Sequence, residues 1–136
     1  MKAVVCHHGE FEVQDVADPE PGKGQILLNV LRCGICGSDL HARHHADELA
    51  EATERVGYPH IMRSHEHVVL GHEFVGEIAD YGAKTHRRWK PGKRVVAMPM
   101  RRNSGVAHLT GLSTQAPGAY AERVLVEESL AFPVTN

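Results

Sequence analysis

The sequence has 136 residues, 42% of them hydrophobic, which suits one sizeable buried core and is too short for two domains of ordinary size. Its 15 basic and 17 acidic residues give a formal net charge of −2, so neither nucleic acid nor an anionic membrane is expected as a partner. It contains no apolar run of membrane-spanning length and no signal-peptide core. These features predict a soluble, cytoplasmic protein with one domain over residues 1–136.

The first half of the chain alternates short apolar segments with turns. Three segments rich in Val, Ile or Leu predict strands: 2–6, 12–16 and 25–32. A Pro-Gly-rich turn over 18–24 precedes the third strand. The glycine-containing segment 33–44 predicts a loop with at most a helical turn. Near-helical spacing over 46–56 predicts a short surface helix that ends at Gly57.

The second half predicts further strands and little helix. A long strand is expected over 67–79, interrupted by Gly71 and Gly76, where a bulge or a close backbone approach is expected. Four apolar residues of this strand are expected on one side: Val68, Leu70, Phe74 and Ile78. Strands over 94–98 and 119–126 follow, separated by a polar stretch. Many short strands with one or two short helices predict a mainly β fold, a small and partly open β-barrel.

Two segments, 33–41 and 71–78, hold the residues with the most informative chemistry. Cys36 and His72 offer a thiolate and an imidazole, ligands that suit Zn²⁺. A catalytic zinc needs three protein ligands and one open position, so a third ligand must come from elsewhere. The candidates for it are Glu73, Asp39, Cys33 or a residue outside this sequence.

Such a site suits alcohol oxidation, because hydride leaves an alkoxide more readily than an alcohol. Zinc lowers the pKa of a bound hydroxyl far below its usual value, toward about 7. In sequence, Asp39 is well placed to orient a metal ligand. Ser38 and His41, both beside the metal cysteine, can carry the released proton toward water.

The segments CGICGSDLH over 33–41 and GHEFVGEI over 71–78 resemble the paired signature of zinc-dependent medium-chain alcohol dehydrogenases. The resemblance covers almost the whole chain and is to their N-terminal, GroES-like catalytic domain. It implies a GroES-like barrel in which Cys36 and His72 bind the catalytic zinc. Glu73 would be a neighbouring carboxylate that can approach the metal.

The same resemblance implies roles for three further residues and for a nicotinamide cofactor. Ser38 and His41 would relay the alcohol proton, and Asp39 would support the zinc ligands. The implied reaction is oxidation of a small alcohol to an aldehyde or ketone, or the reverse reduction, with NAD or NADP. The family's nucleotide-binding Rossmann domain and third zinc ligand follow residue 136, so the isolated chain is expected to be inactive.

Departures from the family pattern limit these expectations. The stretch 98–118 has no cysteine, whereas many relatives hold a second, structural zinc with four, so only the catalytic zinc is expected. A chain without its cofactor domain would expose the surface on which that domain packs, which predicts aggregation or a homo-oligomer.

Each of these features also has a simpler interpretation. Cys33 and Cys36 form a CxxC pair that is also typical of redox proteins or of half a zinc knuckle, although no second pair is present. Without the paired motif, Cys6 and Cys33 are expected in the core. Ser38 can instead cap the turn, Asp39 can form an Asx-turn, and His41 can be an exposed loop histidine.

Two alternatives concern the histidines and the function. Five histidines form either a second metal cluster or, as we expect, a solvated insert: His44, His45, His60, His65 and His67. The alternative function is a stand-alone GroES-like zinc-binding or assembly module without catalysis. The set of site residues argues against it, since a barrel needs none of them.

Overall fold

Ten short strands and one α-helix form the part of the chain that the computed structural model describes, residues 1–135. The strands are β1 (Lys2–His7), β2 (Glu10–Asp15), β3 (Gln25–Gly34), β4 (Val68–Val69), β5 (Glu73–Tyr81), β6 (Arg94–Ala97), β7 (Met100–Asn103), β8 (Val106–Leu109), β9 (Arg123–Glu127) and β10 (Ala131–Pro133). The helix α1 spans Gly37–Arg55, and a 3-10 turn, Glu128–Leu130, precedes β10.

The strands form three antiparallel sheets that do not close into one barrel. The largest has the order β10-β6-β5-β3-β9, the second has the order β2-β1-β4, and β7 pairs with β8 as a hairpin. The mainly β, partly open architecture predicted from the sequence is confirmed. None of the helices in residues 1–135 has the length and apolar character needed to cross a membrane.

Two buried clusters fix the relative placement of α1 and β5. Alternate residues of β5, including Phe74 and Ile78, pack in the core of the largest sheet. Three alanines of α1 lie four residues apart on one face and pack against β4 and the residues around it: Ala42, Ala46 and Ala50. The N-terminus of α1 is therefore held beside the segment that enters β5.

The helix begins earlier than the sequence predicts, and the predicted loop over 33–44 is wrong from Gly37 onward. One helix of 19 residues replaces the short helix predicted over 46–56, with a local break at His45, where φ is −135° and ψ is 33°. Cys36 is the N-cap residue, and its N–H donates to Asp39 Oδ2 at 2.9 Å. Cysteine at the N-cap followed by glycine is not a recognised start signal, which explains the error.

The single long strand predicted over 67–79 is wrong, because β4 and β5 lie in different sheets. Gly71 separates them with φ at +99°, a conformation that glycine adopts readily. Val68 consequently packs with α1, whereas Phe74 lies in the other core. The close approach expected at Gly76 is present, since a Cβ there would lie 2.8 Å from the Asn29 carbonyl oxygen.

The hairpin of β7 and β8 is absent from the sequence-based prediction, which assigned a polar stretch to this region. Its turn contains Ser104 and Gly105, with φ of +51° and +78°. Two consecutive positive φ values are typical of the tight turns that join hairpin strands. The charged residues Arg101 and Arg102 made this segment look like a polar loop, although the Ser-Gly turn signal was present.

Candidate metal centre

Two separate segments bring three potential metal ligands together. Cys36 comes from the N-terminus of α1, while His72 and Glu73 come from the start of β5. One ligand atom from each lies within 4.8 Å of the other two. Within residues 1–135, this ligand cluster is the one group of three or more histidine, cysteine or carboxylate side chains with such spacing. Sulfur, imidazole nitrogen and carboxylate oxygen are the donors that zinc takes in catalytic sites.

A glycine opposite Glu73 leaves space for its carboxylate. Gly34 at the end of β3 pairs directly with Glu73 at the start of β5. A Cβ on Gly34 would lie 3.2 Å from Glu73 Oε2, closer than most side-chain contacts. Glu73 is exposed, so its carboxylate can reach the ligand cluster without being buried.

Asp39 lies directly behind the ligand cluster and is 1% exposed. Its Oδ2 accepts hydrogen bonds from the Cys36 N–H at 2.9 Å and from the Tyr120 hydroxyl at 3.0 Å. Its Oδ1 faces His72 Nδ1 at 3.3 Å. Both facing atoms are buried, and neither makes a well-aligned hydrogen bond. His72 therefore directs Nδ1 toward Asp39 and keeps Nε2 for another partner.

Ser38 lies at the ligand cluster, whereas His41 lies further along α1. The Ser38 hydroxyl is 3.1 Å from His72 Nε2. His41 is exposed, and its ring centroid is 5.1 Å from that of His45. No hydrogen bond joins Ser38 to His41 in the described part of the chain, and their relay stays a prediction.

Tyr120 is a site residue to which the sequence analysis gave no role. Besides the bond to Asp39, its hydroxyl lies 3.4 Å from the Gly34 carbonyl oxygen. Burial and then the hydrogen bond to Asp39 raise the pKa of Tyr120, so the hydroxyl keeps its proton and remains a donor. The sequence placed it only in the strand predicted over 119–126.

The other two cysteines lie outside the ligand cluster. Cys6 is buried in the core, as expected, and Cys33 is partly buried. Burial raises the pKa of the Cys33 thiol to about 11. Cys33 does not belong to the group of ligand atoms that lie within 4.8 Å of one another, whereas Glu73 does. Of the third ligands considered above, Glu73 therefore has the best position.

Within residues 1–135, the histidines considered for a second metal cluster form no group of three with metal-ligand spacing. His67 stacks on His7 with 3.9 Å between ring centroids, whereas His60 meets His108 edge-on at 5.3 Å. His44 and His45 are both exposed on α1.

Comparison with known proteins assigns this chain to a family. Residues 22–136 match the alcohol dehydrogenase GroES-like domain, and the chain belongs to this family. It is 36% identical over 148 residues to an L-threonine 3-dehydrogenase of Streptomyces avermitilis, covering 100% of this chain and 38% of that protein. It is 30% identical over 146 residues to an (R,R)-butanediol dehydrogenase of Bacillus subtilis, covering 100% of this chain and 41% of the relative. The chain thus spans well under half the length of either relative.

Solved structures give the same result. A provisionally described zinc-binding dehydrogenase of Sinorhizobium meliloti 1021, bound to NADP, superimposes with a TM-score of 0.74 at 29% identity and covers 98% of this chain. The 2R,3R-butanediol dehydrogenase of Bacillus subtilis superimposes with a TM-score of 0.73 at 26% identity and covers 99% of it. This chain covers 38% and 40% of those two chains. The resemblance to the GroES-like domain of medium-chain dehydrogenases is confirmed.

Proposed function

We propose that this chain supplies the metal centre and part of the substrate wall of a zinc-dependent, NAD(P)-linked alcohol dehydrogenase. The enzyme would oxidise a small alcohol to an aldehyde or ketone, or catalyse the reverse reduction. This proposal rests on one observation: a ligand atom from each of Cys36, His72 and Glu73 lies within 4.8 Å of the other two. Zinc bound there would lower the pKa of a substrate hydroxyl and polarise a carbonyl oxygen. The dehydrogenase relatives support the reaction class.

The side chains around the ligand cluster have different roles in this proposal. Asp39 Oδ1 faces His72 Nδ1 at 3.3 Å, and Ser38 lies at the edge of the cluster, 3.1 Å from His72 Nε2. With Nε2 on a metal, the Ser38 hydroxyl would be free to accept the proton of a substrate alcohol while it releases its own proton toward His41 or water. His41, three residues further along the same helix, lies on the same helical face and can pass the proton to water.

Two exposed apolar residues flank this position. Ile35 is 73% exposed and directly precedes Cys36, and Leu40 is 50% exposed on the first turns of α1. Apolar side chains next to a metal centre exclude water, which favours hydride transfer over side reactions. The hydride acceptor, NAD or NADP, would bind to a part of the protein outside these 136 residues.

Zinc binding tests the ligand assignment in the chain itself. We expect about one zinc per chain, with most of the affinity lost in Cys36→Ser and in His72→Ala, because each removes one of three donors. His44→Ala is the matched control, since His44 is exposed on the same helix, and it should keep full affinity. Full zinc binding by Cys36→Ser would refute the assignment.

Activity should be tested in the protein purified from its natural source, so that its native length is kept. Zinc-dependent formation of reduced nicotinamide from alcohols is expected. Ser38→Ala should lower kcat by about a hundredfold while zinc content stays unchanged, because the hydroxyl moves a proton and is not a ligand. A native product of 15.0 kDa that binds zinc but oxidises no alcohol would favour the stand-alone zinc-binding module instead.

A further inference from the structure

Asp39 can serve the ligand cluster only if the correct carboxylate oxygen faces His72. Two donors bind Oδ2: the Cys36 N–H at 2.9 Å and the Tyr120 hydroxyl at 3.0 Å. Because Oδ2 is occupied, Oδ1 is the oxygen that points to His72 Nδ1, 3.3 Å away. The Tyr120 hydroxyl therefore fixes the rotation of the carboxyl group from the side opposite the helix.

The rotation of Asp39 determines which nitrogen His72 presents to a metal. Asp39 Oδ1 and His72 Nδ1 are both buried, and neither has a hydrogen-bond partner among residues 1–135. A buried polar atom without a hydrogen bond is unfavourable, so a small ring rotation that pairs the two atoms is favoured. With its proton on Nδ1, His72 has its lone pair on Nε2, the nitrogen available for a metal.

Tyr120 is held rigidly at both its backbone and its ring. Its N–H donates to the Leu70 carbonyl at 3.0 Å, and its carbonyl accepts from the Val4 N–H at 2.7 Å. The ring lies against Gly71, where a Cβ would come within 2.6 Å of Tyr120 Cδ1. Since Gly71 directly precedes His72, the tyrosine packs against the same short segment that carries the histidine.

We propose that Tyr120 is a positioning residue of the metal centre, whose hydroxyl orients Asp39 so that His72 binds zinc through Nε2. This inference rests on the proposed function only for the identity of the metal. Tyr120 is not one of the three residues of the ligand cluster, and its hydroxyl acts through Asp39.

The first test compares two variants that each lose one tyrosine hydroxyl. Tyr120→Phe should raise the zinc dissociation constant of the full chain about tenfold, the lower end of the usual cost of losing such a supporting contact. Tyr58→Phe is the matched control, because the Tyr58 hydroxyl donates to the Ala107 carbonyl at 2.7 Å, outside the ligand cluster. Its zinc affinity should equal that of the wild type. Equal affinities in both variants would overturn the inference.

A double-mutant cycle tests the route of the effect. If Tyr120 acts through Asp39, adding Tyr120→Phe to an Asp39→Ala chain should leave zinc affinity unchanged. A further tenfold loss in the double variant would mean that Tyr120 acts by another route, and it would overturn the inference.

A measurement without metal separates this inference from the proposed function. In ¹⁵N-histidine spectra of the metal-free chain, we expect His72 to carry its proton on Nδ1 in the wild type and to show a mixture of both tautomers in Tyr120→Phe. An unchanged His72 tautomer in Tyr120→Phe, or a wild-type proton on Nε2, would overturn the inference. The wild-type result alone can overturn it if Tyr120→Phe fails to fold. A folded wild-type chain that binds no zinc would refute the proposed function, and the tautomer measurement would still decide the role of Tyr120.

Discussion

His108 is buried, with 6% of its surface exposed, and its Nδ1 lies 3.2 Å from the Ser113 hydroxyl. The Gln115 N–H donates to the same hydroxyl, so Ser113 can donate its own proton to His108. Burial, followed by the charges of His60 and Arg101, lowers the pKa of His108. The folded chain therefore keeps this imidazole neutral at pH values where an unfolded chain would protonate it.

Acid should consequently destabilise the fold through His108. Its contribution is fully present above pH 6.5, the ordinary histidine pKa, and is lost progressively as pH falls toward its lowered pKa in the folded state. We expect the free energy of unfolding, measured with urea at several pH values, to fall less steeply below pH 6.5 in His108→Gln than in the wild type. His44→Gln, which alters an exposed histidine, should keep the wild-type slope. Identical slopes in all three chains would contradict this account.

A single site residue could be predicted from the sequence only where a local motif indicated it. Cys36, His72 and Glu73 could be proposed together because two short segments resemble a known family signature, and the structure brings all three together. Tyr120 and Asp39 are 81 residues apart, and nothing in either segment indicates that they form a hydrogen bond. Such a pair depends on the packing of β4 and the segment before β9, which the sequence pattern did not specify.

At the scale of elements, Gly71 determines how the chain leaves one sheet and enters another. It has φ of +99°, and an added Cβ would lie 2.6 Å from Tyr120 Cδ1 and 2.8 Å from the Tyr120 amide nitrogen. Both the backbone conformation and the contact exclude other residue types. The position of Gly71 immediately before His72 links this local requirement to the metal centre.

Substitution of two glycines can separate backbone strain from steric contact. Gly92→Ala places a side chain at φ of +85° in open space and should cost about 1–2 kcal/mol. Gly71→Ala adds the contact with Tyr120 and should cost clearly more, and it should also weaken zinc binding. Thermal unfolding and zinc titration measure the two effects. Equal stability losses would show that the contact with Tyr120 contributes nothing.

The elements that the sequence analysis missed share a physical cause. The start of α1 depends on a hydrogen bond that the Cys36 N–H donates to Asp39 Oδ2, and the N-cap cysteine itself gave no signal. The break between β4 and β5 depends on one glycine inside a continuous apolar pattern. Both features depend on tertiary packing, and apolar periodicity alone does not distinguish a long strand from two short ones.

At the scale of the whole molecule, an apolar patch follows one edge of the largest sheet. Val96 of β6 pairs with Phe132 of the edge strand β10, and the two side chains are 39% and 53% exposed. Met98, two residues beyond Val96, is 52% exposed. An exposed edge strand with apolar side chains promotes association with another surface.

This patch predicts that the chain self-associates in solution. Light scattering at increasing protein concentration should show dimers or larger species, and Phe132→Ser should shift the chain toward monomer. Phe11→Ser serves as the control, because Phe11 is 37% exposed on β2, in a different sheet. A wild-type chain that remains monomeric would refute the prediction of a homo-oligomer.

The fold class was predictable from the whole sequence, whereas the order of strands was not. Many short apolar segments separated by turns indicated a mainly β domain. In the largest sheet, however, β3 pairs with β9, so that residues far apart in the chain, such as Ile26 and Val126, lie opposite each other. Strand order depends on such long-range pairing, so it could not be inferred from local patterns.

X-ray absorption spectroscopy of the zinc-loaded chain tests the central claim most directly. We predict one sulfur ligand at about 2.3 Å with nitrogen and oxygen ligands at about 2.0–2.2 Å. The sulfur contribution should disappear in Cys36→Ser and remain in Cys33→Ser. A zinc environment of nitrogen and oxygen alone in the wild type, or one unchanged by Cys36→Ser, would contradict a metal centre built on Cys36, His72 and Glu73.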